Sequence, residues 1–484
     1  MEKQREKYLK KAEENFPKIY KKTLKINEKK TLQKGDTYTL DFGNHYVGYF
    51  SFSLGYTDMY IDAPVRLKIK FCETKEELEA DFSAYKGGLC ASWLQEEIVH
   101  LDFPILYRLP RRYAMRYVKI TVLESPKTLV LSDFTFCAVT SADVRALKTC
   151  VIADEALKTI DRISVNTLKN CMQRVFEDGP KRDRRLWIGD LRLEALANYK
   201  TFQNNALVRR CLYLFAAATP NESGFLPAYV YENPKFVSGY WHLQDYALLF
   251  VVTLCDYLEN TGDSAVFEEI YPVAKMQMDA AHKQLDSQGI VQIADGCEAF
   301  IDWCEGLEKR TALHGVYLYA LQKWVHALKA LQNSAYIEYE KRLQAGRLSA
   351  KDYLFNGKEN AFLNAYDHKQ KSVHSIVWMI LGGVIDGEEA WEQLQNVLQD
   401  AESVKPFTPY MHHYVVEAMH VLGKRVETLA YIKDFWGKMV ERGTDTFYEA
   451  FVENDPDFSP YGDKMINSAC HAWSCTPCWF IREN

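Results

Sequence analysis

The sequence has no apolar run long enough to span a bilayer. Its longest, YALLFVVTLCDYL at 246–258, falls well short of the roughly 20 residues a spanning helix needs, and reads as a buried helix. It has no excess of positive charge either. A formal net charge of −6 leaves no whole-chain attraction to phosphate backbones or anionic lipid, so neither nucleic acid nor a membrane is expected as partner. The first 22 residues, MEKQREKYLKKAEENFPKIYKK, lack the apolar core of a secretory signal, which gives a cytoplasmic expectation. The 12 cysteines are scattered singly through both halves, a pattern of free thiols more than of a disulfide framework. No low-complexity segment and no flexible linker interrupts the chain.

What is present is a globular composition, 48% hydrophobic and 26% charged, with 13% aromatic residues, enough for stacking surfaces as well as a core. A length of 484 residues allows two or three domains. A basic helical lead-in is expected over 1–35. Over 36–142, YTLDFGNHYVGYFSFSLGY, PVRLKIKF, MRYVKITVL and TLVLSDFTFCAV alternate β-branched and aromatic residues with polar ones between turn formers. Their apolar face needs a facing layer, so they predict a jelly-roll-like β-sandwich. From 143 to 484 the period changes. In segments such as LRLEALANYKTFQN, WHLQDYALLFVVTLCDYLEN and VETLAYIKDFWGKMVER, apolar residues recur at three and four. Ten to twelve such helices joined by loops of alternating length predict an α/α barrel whose long loops line one cleft.

The residues 177–190, EDGPKRDRRLWIGD, put four acids and four bases among Gly179, Pro180 and Gly189. Gly-Pro and Ile-Gly-Asp argue for a constrained loop that delivers side chains. Asp190 also suits a helix N-cap and Asp178 a turn; Asp183, between Arg182 and Arg184, suits an ion pair. Acids beside Trp187 equally suit a glycosidase, which keeps one carboxyl protonated and another ionised. Glu449 lies among Thr446, Phe447, Tyr448 and Phe451, apolar company expected to raise its pKa and fit it as a general base. Asp302 and Trp303 adjoin on an inter-helix loop, a carboxylate beside an indole as sugar sites use. A loop at 219–241 adds Tyr229, Tyr231, Tyr240 and Trp241, with Asp245 just beyond. Cys470, His471, Cys475 and Cys478 form half of a zinc-type ligand set, and no metal is expected there. Adjacent His412 and His413 face different ways on a helix and do not share an ion easily.

Taken in order, DGPKRDRRLWIGD, Asp302-Trp303, the Glu449 loop and His471-Ala472-Trp473-Ser474 resemble the motifs of the α-L-rhamnosidase-like enzymes of glycoside hydrolase family 78. LDFGNHYVGYFSFSL and RRYAMRYVKI are similar to the β-domain that precedes the family's (α/α)6 barrel, so the resemblance spans nearly the whole chain. It implies an inverting glycosidase of small α-L-rhamnosides, with no cofactor. On it, Asp183 falls at the general acid and Glu449 at the general base. Asp178, Asp190 and Asp302 fall at sugar-binding acids, and Trp303, His471 and Trp473 at the pocket wall; Arg182, Trp187 and Trp241 complete the expected substrate-binding set. Many members carry glutamate where this chain has Asp183, and many add a C-terminal β-domain that this sequence does not contain. The competing readings are a carbohydrate sensor with a degenerate cleft, another α/α-barrel glycosidase, and a polysaccharide lyase. A homo-oligomer is compatible with the sequence, which fixes no oligomeric state.

Overall fold

The computed structural model describes residues 2–57 and 62–483. Among the described residues eight strands make the N-terminal domain: β1 (Tyr20–Ile26), β2 (Lys30–Leu32), β3 (Thr37–Tyr56), β4 (Val65–Cys72), β5 (Glu96–Leu101), β6 (Ile105–Arg108), β7 (Tyr113–Glu124) and β8 (Leu129–Thr140). Every ladder is antiparallel, in the order β1-β8-β3-β7-β4-β5, with β2 on β8 and β6 on β3. The long β3 joins two layers. Its first half pairs with β7 and its second half with β8 and β6. The inward residues of both halves, Leu40, Phe50, Phe52 and Leu54 among them, close on one core with Ile69, Ile120, Leu131 and Phe136, which is how alternating strands bury one face each.

The lead-in is helical only over α1 (Glu2–Glu14). The rest of residues 1–35 corrects the expectation: β1 and β2 belong to the sheet. Lys21 and Lys25 of YKKTLKI lie on its outer face, while Leu24 and Ile26 pack on the sandwich core, so a strand is concealed in a basic segment. The α1 helix itself docks on the helical domain, where Tyr8 is buried and its hydroxyl donates to the Glu269 carbonyl at 2.8 Å.

After the short α2 (Lys75–Glu79), twelve helices among the described residues build the barrel: α3 (Glu155–Cys171), α4 (Ile188–Lys200), α5 (Asn205–Ala216), α6 (Gln244–Thr261), α7 (Ser264–His282), α8 (Arg310–Ala330), α9 (Tyr336–Tyr353), α10 (Val373–Leu381), α11 (Gly387–Gln399), α12 (Pro409–Val421), α13 (Arg425–Glu441) and α14 (Pro477–Glu483). They alternate between an outer and an inner ring: α4, α6, α8, α10 and α12 pack side by side in sequence, and α14 closes the circle against α4. Side chains at the helix starts satisfy the free N–H groups. Asp154 accepts from Ala156 and Leu157, and Thr408 from Met411 ahead of Pro409. The inner helices are buried nearly all round; α4 and α6 expose almost nothing before their last turns. At the barrel's centre Arg192 reaches Glu417 at 2.7 and 2.8 Å and Asp256 at 3.3 Å. No described helix is long and apolar enough to cross a membrane.

The two domains meet through polar groups. Asn166 of α3 donates to Asn44 Oδ1 at 2.9 Å, where β3 bulges, and to the Asp445 carbonyl at 2.8 Å. Glu73 accepts from the Ala469 N–H at 2.7 Å and from His45 Nε2 at 2.9 Å. This contact braces the loops that carry the site.

Candidate active site

Three of the eight charged residues in 177–190, Glu177, Lys181 and Arg184, dock its loop on the β-domain. Glu177 takes a bidentate contact from Arg112 at 2.6 and 2.9 Å, and Lys181 is buried against Glu77 at 2.5 Å. Arg184 points away from Asp183: Nε donates to the Pro180 carbonyl at 2.8 Å and Nη2 to the Arg112 carbonyl at 2.9 Å. These anchors hold Asp183 and Arg184 at φ +60° and +53°, a left-handed backbone that costs a non-glycine residue about 1–2 kcal/mol. The turn throws the Asp183 side chain into a cavity of about 380 Å³.

All of the expected site residues except Asp302 line that cavity: Asp183, Glu449, Asp178, Arg182, Trp187, Asp190, Trp241, Trp303, His471 and Trp473. Short strands position the aromatic side. β9 (Leu186–Trp187) pairs with β10 (Tyr229–Tyr231), which pairs with β11 (Val237–Ser238), placing Trp187 4.5 Å from Tyr229 and 6.0 Å from Trp241, ring to ring. Opposite, Trp473 meets Trp303 at 5.0 Å and Phe300 at 6.0 Å, and its Nε1 donates to the Glu449 carbonyl at 2.9 Å. Gly189 permits the floor: a Cβ there would sit 2.4 Å from Tyr246 Cζ.

The carboxyl groups differ by environment. Glu449 is buried, which raises its pKa, but the Arg182 guanidinium and the bonds from Arg182 and Tyr461 outweigh burial and hold it below the usual range. The expected upward shift is thereby corrected: its apolar sequence neighbours are not what faces the carboxylate. Asp178 is pushed well above the ordinary range, first by burial and then by the charges of Asp183 and Asp190. Asp190 is raised in the same way by burial and Glu449. It stands in the first turn of α4, where Trp187 occupies the cap position, so its carboxyl is not spent as an N-cap. Asp183 has Arg182 Nη1 at 3.7 Å and Arg185 Nη1 at 3.9 Å; Arg185, not Arg184, is its second cation. Among the described residues its carboxyl accepts no short hydrogen bond. Burial lowers His471 to about 4, leaving it a neutral ring 3.6 Å from both Asp190 Oδ1 and Glu449 Oε1.

Several buried polar atoms at this cavity have no partner among the described residues: Trp187 Nε1, Asp190 Oδ1, Arg185 Nε and His471 Nδ1. Unpaired groups of this kind are costly and rare, and here they share one chamber. It is built to hydrogen-bond a polyhydroxylated guest between aromatic walls.

Asp302 is the exception and a correction. Its buried carboxylate accepts from His374 Nε2 (2.8 Å), Thr408 Oγ1 (2.7 Å) and the N–H groups of Trp303 (2.9 Å), Phe407 (2.8 Å) and Thr408 (3.1 Å). It orients Trp303 from behind the wall. Asp245 of α6 braces the same loop, accepting from the Phe300 and Ile301 N–H groups at 3.0 and 2.8 Å and holding Ile301 at φ +52°. Residues beyond the expected set also line the cavity: Tyr461, Arg185, Tyr246 and Phe300, with Leu89 and Trp93 from the β4–β5 connection. Cys470 lies 4.0 Å from Cys171, Cys478 donates to the Cys475 carbonyl, and His471 faces the cavity. His412 stacks on Phe435 at 3.6 Å, while His413 turns to Glu417 at 3.3 Å.

With this geometry in place, comparison with known proteins is decisive. Residues 10–139 match the glycosyl hydrolase family 78 alpha-rhamnosidase N-terminal domain, and residues 148–484 match the bacterial alpha-L-rhamnosidase six-hairpin glycosidase domain. The chain belongs to glycosyl hydrolase family 78. This family 78 protein is similar to a rhamnosidase from Klebsiella oxytoca solved with rhamnose bound, at 39% identity and TM-score 0.94, covering 99% of this chain and 98% of that one. The family 78 rhamnosidase of Bacillus sp. GL1 shares the fold at 20% identity and TM-score 0.79, and 94% of this chain covers 47% of it. An α-L-rhamnosidase from Dictyoglomus thermophilum does so at 18% identity and TM-score 0.72, over 96% of this chain and 52% of that one. A search of curated proteins gives no match.

Proposed function

We propose that this family 78 protein is an inverting α-L-rhamnosidase that acts on small glycosides in the cytoplasm, with no nucleic-acid or membrane partner. The observation that carries the reading is one chamber in which a single guanidinium links two carboxyl groups of unequal character. Arg182 grips Glu449 with Nη2 and stands 3.7 Å from Asp183 Oδ2 with Nη1. The similarity to a rhamnosidase seen with rhamnose bound supports the sugar class.

In this mechanism Glu449, held ionised by Arg182 and Tyr461, takes a proton from a water that attacks the anomeric carbon. Asp183, whose carboxyl is free of short hydrogen bonds, gives its proton to the departing glycosidic oxygen. Asp178 and Asp190, raised toward their neutral forms, supply donors as well as acceptors to sugar hydroxyls. Trp303 and Trp473 face C–H surfaces of the ring. The neutral His471 completes the hydroxyl contacts without adding charge beside an oxocarbenium-like transition state.

A panel of aryl glycosides tests the assignment. Release of phenol from the α-L-rhamnoside, at least about tenfold faster than from α-L-arabinoside, β-D-glucoside or α-D-mannoside, is the expected outcome. Sugar binding in calorimetry with no phenol released from any of them would replace the enzyme with a sensor. An unsaturated product absorbing in the ultraviolet would replace hydrolysis with elimination.

A further inference from the structure

Behind the aromatic wall, three ligating side chains from two segments converge. Asp302 follows the strained Ile301, Cys304 lies two residues on, and His374 stands in the first turn of α10. Asp302 divides its oxygens. Oδ1 takes the Trp303 N–H and both Thr408 donors. Oδ2 faces His374 Nε2 at 2.8 Å and Cys304 Sγ at 3.5 Å, with the Phe407 N–H also at 2.8 Å. Sγ and Nε2 are 3.8 Å apart.

Three atoms separated by 3.8, 3.5 and 2.8 Å lie on a circle of radius about 2.0 Å. An ion slightly off that plane meets all three at about 2.0–2.3 Å, the range of zinc bonds to nitrogen, oxygen and sulfur. The Lys405 carbonyl oxygen is 3.4 Å from Sγ, close to a tetrahedral edge. It is fixed there because Lys405 Nζ donates to the carbonyls of Val397, Leu398 and Asp400 at the end of α11. Oδ1 is already oriented by three donors, as the outer partners of a metal-bound carboxylate are.

We infer that Asp302 Oδ2, Cys304 Sγ and His374 Nε2 bind one zinc-class divalent ion that ties the 301–304 loop to α10 and to the 404–408 segment. A thiolate, an imidazole and one carboxylate select a borderline-soft ion over magnesium or calcium. On binding, the Cys304 thiol proton passes to solvent and the His374 ring proton moves from Nε2 to Nδ1, so one proton is released for each ion bound. The ion stands outside the sugar cavity and takes no part in hydrolysis; it fixes Trp303 from behind. The inference is independent of the glycosidase reading.

The test uses the full chain stripped with chelator and titrated with cobalt(II), then zinc. One cobalt per chain with a thiolate-to-cobalt charge-transfer band, displaced by zinc, is expected. Cys304→Ser should abolish the band and weaken zinc at least about a hundredfold, His374→Gln should do the same, and Cys470→Ser should leave both unchanged. Calorimetry of zinc binding in two buffers of different ionisation enthalpy should show close to one proton released. Circular dichroism of each variant establishes that it is folded; if Cys304→Ser is not, His374→Gln decides. The inference is overturned if the wild type shows no thiolate band, or if the band survives in a folded Cys304 or His374 variant.

Discussion

Replacing Tyr461 by phenylalanine isolates one hydroxyl. The Tyr461 ring lies over the Arg182 guanidinium at 4.2 Å and edge-on to Trp303 at 5.8 Å, contacts that phenylalanine keeps. What is lost is the hydroxyl's 2.5 Å bond to Glu449 Oε1. A hydrogen bond to a buried charged group is worth about 1.5–3 kcal/mol. At about 1.4 kcal/mol per pKa unit, the Glu449 pKa should rise by about 1–2 units. The sign follows from its role. The pKa is depressed in the folded protein, the base works only when ionised, and activity disappears as pH falls through that pKa. Tyr461→Phe therefore moves the acid limb of the kcat/KM profile upward by about 1–2 units, toward neutrality, with a much smaller change on the plateau. The assay is phenol release from an aryl α-L-rhamnoside across pH. An acid limb within about half a unit of wild type, with the plateau lowered at every pH, would show that Tyr461 does not tune Glu449.

Asp183→Asn and Glu449→Gln should each lower turnover at least about a hundredfold while calorimetry still detects rhamnose, since each removes one proton-transfer partner; near-normal turnover would remove that residue from the mechanism. His314 is buried, which lowers it to about 4, with Nε2 on the Gly346 carbonyl at 3.0 Å. The unfolded chain takes this proton below about pH 6.5 and the folded one does not, so stability falls with pH between those values by about 1.4 kcal/mol per unit. Denaturant unfolding should show the advantage of wild type over His314→Gln shrinking at that rate as pH drops. Gly189→Ala should destabilise by about 1–3 kcal/mol and raise KM, because its Cβ would meet Tyr246; denaturant midpoints and initial rates measure both.

The sandwich strands and most barrel helices were legible because burial imposes a period of two or of three to four on the residues themselves. β1 was not, because only Leu24 and Ile26 of YKKTLKI turn inward and lysines dominate its composition. At the site, sequence patterns reached the loops that carry Asp183 and Glu449 but not what the carboxyls face. Glu449 has aromatic neighbours in sequence and a guanidinium in space, so the direction of its pKa shift reversed. Arg185 replaced Arg184 beside Asp183 because two consecutive left-handed residues rotate the loop, which no spacing rule foresees. Asp302 looked identical to a sugar-binding acid; only the donors that surround its carboxylate, from His374, Cys304, Thr408, Trp303 and Phe407, show that it is spent on structure. Leu89, Trp93 and Tyr461 reach the cavity through tertiary docking, with the Gly88 N–H donating to the Tyr461 carbonyl at 2.8 Å, and carry no local signal.

Proton NMR of the first sugar released from an aryl α-L-rhamnoside, recorded before mutarotation, tests the mechanism at its centre. With Glu449 activating water and Asp183 protonating the leaving oxygen from the other side, the β-anomer appears first and the α-anomer grows in only by mutarotation. Initial release of the α-anomer, or a sugar ester trapped on Glu449, would contradict the account by showing that this carboxylate attacks the sugar itself.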